Sequence, residues 1–546
     1  MKRIISALLC AILLVGVFAG CGGKKTAKGD GSTITIGLLS SALVEDYDNN
    51  ALTKYLEEKS GYNLEFTFFA SSGNDAKSQI ATMMAGGETL PDILWGISLG
   101  KDVYTEYGRD GYLLDLKKYY DDKDGKAKTF WDRFKQLPED DQDTYNRALV
   151  DPDTGAMYMI PRLEVSEIDV MDYQLYINQK WLKKLNLSVP KSMDELYNVL
   201  VAFRDKDPNG NGKKDEIPLI GCTGIGGDVV NFIINQYIYF NDQNYFNLEN
   251  GKLTTPFTTN EYREGLKYAN KLVSEGLLST LSLTSSSSDL RAMICPTMTD
   301  GKISDDQEII GCFAGHPTLV IENDNPAMLD YVGMNYWSRC VKTANLHSYD
   351  SFVTEDCQNP DAAWDLLMLM CEKETSLRMR YGEKGVDWDD ADKGSKSFIG
   401  RDAEIKVINN VFASQNNSCW SRVASTILID SENEVTQVED VTDWTKHKNS
   451  CFTTVHDNFF AAMEKYNPKE IMPAVSYTTE ESEKYSMTMS NCASLIVTSR
   501  SSFVTGTMDP NKDSDWNSYV KQLNDLGLED WKAVAQKAYD RQTVKK

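Results

Sequence analysis

The sequence predicts an α/β protein built from two lobes. The chain has 546 residues, which is enough for two lobes that each bury a sizeable core. Strand-like and helical stretches alternate from Ser32 to Trp95, and strands and helices are mixed again from Tyr173 onward. Each of these two regions therefore predicts an α/β lobe of its own.

The first region predicts a parallel sheet, because strand-like stretches are separated by amphipathic helical ones. In chain order the predicted elements are strand Ser32–Leu39, helix Asp48–Ser60, a strand with Leu64, Phe66 and Phe68 on one face, helix Asp75–Ala85 and strand Pro91–Trp95. Strands and helices in this order form a doubly wound sheet. Ligands bind such sheets at the carboxyl ends of their strands, where Trp95 lies.

Helix-capping signals mark the second region. Ser192 and Glu195 predict a capping box at the start of one helix. Thr258 and Glu261 predict the same device before the amphipathic stretch EYREGLKYANKLVSEGLL. The second region therefore contains long helices as well as strands.

Two further segments have distinct patterns. The run TSSSSD, Thr284–Asp289, predicts a mobile surface loop. The segment Trp516–Arg541 predicts two helices that meet at Gly527. Their predicted packing residues are Trp516, Tyr519, Val520 and Leu523.

The N-terminus predicts secretion and a lipid anchor. Two basic residues precede an apolar run, Ile4–Phe18, that is shorter than the roughly 20 residues of a membrane-spanning helix. The small residues before Cys21 resemble the lipobox of bacterial lipoproteins, in which this cysteine is lipidated. We predict a signal peptide over residues 1–20, a flexible tether over residues 21–32 and a position on the extracellular face of the bacterial cell membrane. A plain signal peptide is the alternative.

Net charge limits the classes of ligand that the protein is expected to bind, and cysteine content bears on zinc sites and disulfides. The formal net charge of −24 disfavours nucleic acids and polyanionic ligands, and it favours neutral ones. Of 11 cysteines, Cys10 leaves with the signal peptide and Cys21 carries the lipid, so an odd number remains. The sequence contains no CxxC motif, so a zinc site is not indicated. We expect the remaining cysteines to be buried free thiols in preference to disulfides.

The stretch DPNGNGKKDEIP, Asp207–Pro218, predicts a calcium-binding loop. Its oxygen-bearing side chains alternate as they do around a hard cation. The predicted ligands are Asp207, Asn209, Asn211, the backbone carbonyl of Lys213, Asp215 and Glu216. Pro218 stands where an EF-hand loop has its last glutamate, so Glu216 is expected to complete the shell. The ion would be structural; a solvated Asn-Gly turn is the alternative.

Four stretches resemble extracellular solute-binding lipoproteins of bacterial carbohydrate ABC transporters. They are YINQKWLKKLNLSVPKSMDEL with the calcium loop behind it, ENGKLTTPFTTNEYREGLKYANKLVSEGLL, YGEKGVDW and DWNSYVKQLNDLGLEDWKAVAQKAYDR. The position of the calcium loop after the capped helix is the most specific feature, and it is similar to that in calcium-containing alginate-binding proteins. In YGEKGVDW, Lys384 stands where the family often has an acid.

The resemblance implies a periplasmic-binding-protein type II fold, in which two α/β lobes joined by a hinge close over a ligand cleft. We expect an N-terminal lobe over residues 33–167 and 348–415, and a C-terminal lobe over residues 168–347 and 416–546. The implied function is that of a lipid-anchored, monomeric binding protein. It would capture an oligosaccharide and deliver it to the permease subunits of an ABC transporter.

Sugar binding needs aromatic rings that stack on C–H faces and polar groups that bind hydroxyls. The aromatic candidates are Trp95, Trp337, Trp388 and Trp420, and the polar candidates are Asp92, Arg162 and Asp387. For each of them, core packing or a solvated surface position is the alternative.

Two other functions remain open at this level. A glycoside hydrolase needs two carboxylates, and a chain with 81 acidic residues always offers some pair. No GxSxG or HExxH motif is present, and we expect no enzymatic activity and no catalytic residue. A surface protein that binds glycans without delivering them is the second alternative.

Overall fold

A computed structural model gives the fold of the chain. The structure describes residues 32–164, 173–224, 226–295, 304–316, 331–334, 339–341, 350–397, 400–412, 414–420, 427–428, 436–438 and 450–543.

The N-terminal region alternates strands and helices as predicted. Its strands are β1 Thr33–Leu39, β2 Asn63–Phe69, β3 Ile93–Leu94 and β4 Leu163–Glu164. Its helices are α1 Ala51–Ser60, α2 Gly73–Gly86, α3 Lys101–Arg109, α4 Lys117–Tyr120, α5 Lys128–Phe134 and α6 Glu139–Leu149.

The middle region also mixes both element types. Its strands are β5 Gln174–Asn178, β6 Ile217–Ile220, β7 Asn247–Glu249, β8 Lys252–Thr254, β9 Ile310–Gly315 and β10 Tyr331–Gly333. Its helices are α7 Gln179–Lys184, α8 Met193–Asp205, α9 Val229–Ile234, α10 Asn260–Ser274 and α11 Ser287–Ile294, with short 3₁₀ turns at Pro256–Thr258, Thr280–Leu283 and Asp305–Gln307.

The C-terminal part adds short strands and long helices. The strands are β11 Phe352–Val353, β12 Trp388–Asp390, β13 Lys396–Ser397, β14 Ile405–Val407, β15 Ile427–Leu428 and β16 Gln437–Val438. The helices are α12 Pro360–Met370, α13 Lys373–Tyr381, α14 Ser450–Tyr466, α15 Thr479–Thr505, α16 Asp513–Asp525 and α17 Leu528–Thr543.

The first sheet has the strand order β11-β3-β1-β2. β1 pairs in parallel with both β2 and β3, and β11 runs antiparallel to β3. Ile34, Ile36 and Leu38 of β1 are buried on one face, as the alternating pattern predicted. This sheet lies in a first core formed by residues between 34 and 163 and between 352 and 379, joined by Trp420 and Ile427.

The second sheet has the order β10-β5-β9-β6 and mixes both pairings. β6 and β9 are parallel, whereas β5 is antiparallel to β9 and to β10. Leu175 and Ile177 face a second core, which also takes residues 472–535, whereas Tyr176 and Phe313 face a smaller cluster on the other side. The sheet is therefore covered on both faces, as its continuous apolar strands require.

The chain passes between the two cores more than once. It leaves the first core after Leu163, enters the second at Tyr173, and is back in the first at Phe352. The C-terminal lobe was expected to resume at residue 416, but Trp420 still packs in the first core. The difference arises from a tertiary contact. The Trp420 ring is distant in sequence from the first sheet but packs beside it, and no local sequence pattern indicates such a contact.

Local signals in the second lobe were largely correct. Ser192 caps α8 by accepting the N–H of Glu195, although the Glu195 carboxylate accepts from Lys191 instead of Ser192. α10 is capped by Thr259, one residue later than predicted. α16 and α17 meet at Gly527, as expected, where φ is 96°.

The prediction of a surface loop over Thr284–Asp289 is wrong from Ser287 onward. Ser286 and Asp289 form a capping box, and α11 begins at Ser287. A serine run followed by an acidic residue favours the start of a helix, because the side chains accept hydrogen bonds from the free N–H groups of the first turn.

A segment between residues 474 and 482 joins the two lobes. The Lys101 ammonium donates to the Ser476 hydroxyl at 2.6 Å and to the carbonyl O of Val150 at 2.9 Å. Arg147 donates from Nε to the carbonyl O of Ala474 at 3.1 Å. These bonds attach the first lobe to the chain that leads into α15 of the second.

Two general expectations can be compared with the described residues. Every cysteine with a described side chain is free, namely Cys222, Cys295, Cys312, Cys340, Cys357, Cys371, Cys419 and Cys492, and all but Cys295 are buried. No helix within the described ranges is both long and apolar enough to cross a membrane.

Candidate ligand-binding edges and calcium loop

The carboxyl ends of the first sheet lie along one edge. β1, β2 and β3 are parallel and end at Leu39, Phe69 and Leu94, and the antiparallel β11 begins at the same edge. The N–H of Ile97 extends this edge by donating to the carbonyl O of Asp350 at 3.0 Å. Open α/β sheets bind ligands here, so this is the candidate surface of the first lobe.

The second sheet has a corresponding edge. β6 and β9 are parallel and end at Ile220 and Gly315. The segment after β6, residues 221–224 and 226–228, is called the β6 loop below. Because β5 runs antiparallel to β9, Tyr173, which immediately precedes β5, lies at this edge as well. The β6 loop and Tyr173 therefore form the candidate surface of the second lobe.

Trp95 and Trp420, both expected to stack on sugars, belong to one aromatic cluster. Their ring centroids are 5.5 Å apart at an interplanar angle of 82°, and Phe66 lies edge-on to Trp420 at 5.3 Å. Both tryptophans are 0% exposed, and Trp420 donates from Nε1 to the Thr53 hydroxyl at 2.8 Å. In this conformation the two rings pack the first lobe, and their sugar contact stays a prediction.

Asp387 and Trp388 lie in a different, small cluster at the end of α13. The carboxylate of Asp387 accepts the N–H of Glu383 at 2.8 Å, and Trp388 donates from Nε1 to the carbonyl O of Gly382 at 2.9 Å. The Lys384 ammonium lies 5.2 Å from the Trp388 ring centroid. Both predicted sugar contacts are buried and hold this turn together, and their role toward a ligand stays a prediction.

Asp92 and Arg162 are engaged within the first lobe. The Asp92 carboxylate accepts the N–H and the hydroxyl of Thr35, both at 2.7 Å. Asp92 precedes β3 and so lies at the amino end of that strand, away from the ligand edge. Arg162 is buried, and its carbonyl O accepts the Tyr145 hydroxyl at 3.3 Å. Sugar binding by either side chain stays a prediction.

Two edge residues were missed by sequence reasoning. Burial raises the pKa of Asp350 to about 7, although the N–H of Arg162 stabilises the carboxylate by a hydrogen bond. Phe68, near the end of β2, is 48% exposed and lies 4.7 Å from the Tyr47 ring. The alternating pattern of β2 pointed to Phe68. Asp350 lies just before β11, and its position could have been found only by predicting that two-residue strand.

The predicted calcium loop folds around its own carboxylates. Asp207 accepts the N–H of Gly210 at 2.9 Å and that of Gly212 at 3.1 Å. The Asn211 amide donates to the two oxygens of Asp215 at 3.1 and 3.0 Å. Gly210 and Gly212 have φ values of 77° and 73°, which glycine adopts without strain. The predicted ligands are thus gathered in one compact turn.

Glu216 gives the best indication that a cation fits. Its Oε1 is buried and has no hydrogen-bond partner. Burial, and then the nearby carboxylates of Asp207 and Asp215, raise the pKa of Glu216. In the described part of the chain no three Asp, Glu, His or Cys side chains alone could hold a metal ion, so oxygens of residues such as Asn209 and Lys213 would have to contribute.

Two predicted site residues cannot be located. Trp337, a proposed sugar platform, and Cys21, the proposed lipidation site, both lie outside the described residues. The structure therefore brings together Trp95 and Trp420, and separately Asp387 and Trp388, but not all the candidates in one site.

Comparison with known proteins shows a family likeness over part of the chain. The family described as bacterial extracellular solute-binding protein matches residues 41–294. The fructooligosaccharide ABC transporter substrate-binding protein FusA of Streptococcus pneumoniae is 23% identical over 98% of both chains. Lipoprotein LipO of Bacillus subtilis is 29% identical over 51% of this chain and 51% of its own.

Solved structures give the fold. An EF-hand mutant of FusA from S. pneumoniae, in complex with fructo-nystose, has a TM-score of 0.68 at 19% identity, over 94% of this chain and 100% of that one. The alginate-binding protein AlgQ2, without calcium ion, has a TM-score of 0.62 at 20% identity, over 95% of this chain and 100% of that one. The predicted α/β solute-binding fold and the family resemblance are confirmed.

Proposed function

We propose that this chain, which resembles the bacterial extracellular solute-binding proteins over residues 41–294, captures an oligosaccharide by lobe closure and delivers it to an ABC transporter permease. The observation that carries the proposal is the pair of sheets, each with a carboxyl edge where open α/β sheets bind ligands. One relative, FusA, is the substrate-binding protein of a fructooligosaccharide ABC transporter. An oligosaccharide that touches both edges would favour the closed arrangement of the lobes.

The sugar-contacting residues are part of the proposal. We retain the predicted set, Trp95, Trp337, Trp388, Trp420, Asp92, Arg162 and Asp387. The rings of Trp95 and Trp420 have no exposed surface in this conformation, so a sugar would reach them only after the lobes or the rings move. Asp350, whose pKa is about 7, could be protonated at neutral pH and both donate to and accept from a sugar hydroxyl.

The calcium loop would serve stability and not ligand contact. Asp207, Asn209, Asn211, Asp215 and Glu216, with the carbonyl of Lys213, offer the hard oxygen ligands that calcium prefers. A bound calcium ion would supply positive charge to three neighbouring carboxylates. The loop connects α8 to β6, so the ion would fix the position of a strand that ends at the candidate ligand edge.

We also propose a lipid anchor on Cys21 and a position on the extracellular face of the cell membrane. The lipobox-like sequence supports the anchor, and the family is extracellular. LipO, a relative, is a lipoprotein. Residues 21–32 would then act as the tether between the membrane and a monomeric folded body.

A surface protein that binds or hydrolyses glycans is the competing function. FusA, a relative of this chain, is a substrate-binding protein, and this favours binding over hydrolysis. Prolonged incubation with an oligosaccharide distinguishes the two, because only an enzyme releases shorter products.

The test is thermal unfolding of the soluble form that begins after Cys21, with calcium present. The panel contains fructo-nystose, an oligogalacturonate and an alginate trisaccharide, and short peptides serve as the control ligands. A sugar at a hundredfold excess over its Kd should stabilise the protein by about 2.7 kcal/mol. Stabilisation by peptides, and by none of the sugars, would overturn the carbohydrate assignment.

A further inference from the structure

A charged cluster contacts the C-terminal end of the β6 loop. Nη2 of Arg500, on α15, is 2.6 Å from Oδ2 of Asp228, the last residue of that loop. Nη1 of Arg500 donates to Oδ1 of Asn231 at 2.5 Å. The two charged side chains are 11% and 23% exposed. The ion pair is thus mostly shielded from solvent, where its hydrogen bonds are stronger than they would be in water.

Asp228 holds the start of a helix as well as the arginine. Its Oδ1 accepts the N–H of Val230 at 3.1 Å and that of Asn231 at 3.0 Å, so it caps α9. Although burial lowers the pKa of Arg500, Asp228 and other neighbours raise it overall, so the guanidinium stays charged. One end of the β6 loop is therefore fixed by an ionised pair.

The cluster continues to the place where the chain enters the second lobe. The Asn231 amide donates to Oδ2 of Asp242 at 2.8 Å and to the Tyr173 hydroxyl at 3.2 Å. The Tyr173 hydroxyl in turn donates to Oδ1 of Asp242 at 3.0 Å. Burial raises the pKa of Asp242, opposed by its bonds to Tyr173 and Asn231 and by the charge of Arg500.

Tyr173 also binds the β6 loop through its backbone. Its N–H donates to the carbonyl O of Gly226 at 3.0 Å. Its φ is 59°, in the left-handed region that bulky residues rarely adopt. The last described residue before it is Glu164, in the first lobe. The side chain of Tyr173 thus contacts the charged cluster, and its peptide group contacts the β6 loop.

We propose that Tyr173, held by the Asp242–Asn231–Asp228–Arg500 cluster, is a positioning residue that couples this cluster to the β6 loop and sets that loop for oligosaccharide binding. This rests on the function proposed above. The Tyr173 hydroxyl is bonded to the cluster, and its N–H is bonded to the carbonyl O of Gly226. Tyr173 therefore fixes the position of the β6 loop relative to the cluster.

Hydrogen exchange and sugar binding of the Tyr173→Phe variant test the coupling. The change removes one hydroxyl and keeps the ring. Amides of the β6 loop, such as those of Cys222 and Gly227, which donate to Gly227 and Gly224, should exchange about tenfold faster than in the wild type. The Kd for the panel sugar that binds the wild type, with fructo-nystose tried first, should rise about three- to tenfold.

The matched control is Tyr519→Phe, which removes a buried hydroxyl from the same lobe. Tyr519 donates to the carbonyl O of Phe257 at 3.2 Å, within the second core. This variant should leave the exchange of the β6 loop and the sugar Kd unchanged. A second coupling variant, Asp242→Asn, keeps the side-chain size and should repeat the effect of Tyr173→Phe.

Each outcome decides the inference. Wild-type exchange rates in the β6 loop of both coupling variants would overturn it, as would an equal acceleration in Tyr519→Phe. Faster exchange with an unchanged sugar Kd would overturn the role in ligand binding. If the wild type binds no sugar of the panel, the proposed function fails, while the exchange rates still decide whether Tyr173 positions the loop.

Discussion

The ligand edge of the first lobe is held by apolar packing, whereas that of the second is held by charges and hydrogen bonds. In the first lobe, Trp95 and Trp420 meet edge to face with no exposed surface. In the second, Arg500, Asp228 and Tyr173 are joined by directional bonds. Apolar packing depends mainly on volume and buried area, but a polar cluster is stable only when each member keeps its geometry.

The difference indicates separate tasks for the two edges. A packed aromatic edge is a rigid wall, because interiors are dense and resist displacement. A polar cluster is sensitive to small displacements, because one broken bond leaves its partner unsatisfied. Changes at either edge should alter ligand affinity, and changes in the packed aromatic edge should also have the larger effect on stability.

The largest expected effect is that of Trp420→Ala. Loss of a fully buried indole leaves a cavity beside Trp95, so we expect a loss of about 3–5 kcal/mol in the free energy of unfolding. Urea denaturation measures it. Trp420→Phe, which keeps a ring, should lose clearly less. A loss under about 1 kcal/mol in the alanine variant would contradict the packing account of this edge.

Arg500→Met should have the next largest effect. It leaves Asp228 without its cation in a mostly shielded site, so we expect a loss of about 3 kcal/mol in the free energy of unfolding. The control is Lys126→Met, which breaks the exposed ion pair with Asp365 at 2.8 Å and should cost less than about 1 kcal/mol. Equal losses in the two variants would show that the cluster is no more than a surface ion pair.

Removal of calcium should have a somewhat smaller effect. If the ion is present at a hundredfold excess over its Kd, a chelator should lower the free energy of unfolding by about 2.7 kcal/mol. Asp215→Ala should abolish the difference between chelated and calcium-loaded protein and leave sugar affinity nearly intact. Lys213→Ala, which keeps the backbone carbonyl, is the control and should still respond. Identical unfolding of the wild type with and without chelator would overturn the calcium proposal.

The last prediction concerns the pH dependence of stability that Asp350 contributes at the first edge. Burial raises its pKa from 3.8 to about 7 in the folded protein. Between those values the folded state holds a proton that the unfolded state has lost, so its contribution to stability falls as pH rises from about 4 to 7. Asp350→Asn should flatten the stability curve in this range. Parallel curves for variant and wild type in urea denaturation would contradict the raised pKa.

Several elements of both lobes could be predicted because their signals are local. The alternation in Thr33–Leu39 and the spacing in Asp207–Glu216 are visible within ten residues or fewer of chain. The TSSSSD segment was mistaken for a loop, since composition was weighed above the capping pattern of Ser286 and Asp289. Where side chains and backbone interact within one turn, the sequence is sufficient.

The candidate site could not be predicted in the same way. Arg500 and Asn231 form a hydrogen bond across 269 positions, and Trp420 bonds Thr53 across 367. No local periodicity reports such contacts. Asp387 and Trp388 were predicted to contact a sugar, with core packing as the alternative, and both are buried at the turn that begins at Gly382.

By itself, the sequence determined the α/β class, the helix starts, the likeness to solute-binding proteins and the composition of the calcium loop. Only the tertiary structure decided which tryptophans are enclosed, where the chain crosses between lobes and which charged groups support the β6 loop. The physical reason is the range of the interactions. Strand alternation, capping and turn chemistry act between near neighbours, whereas burial, ion pairing and the pKa of Asp350 depend on segments that only the complete fold brings together.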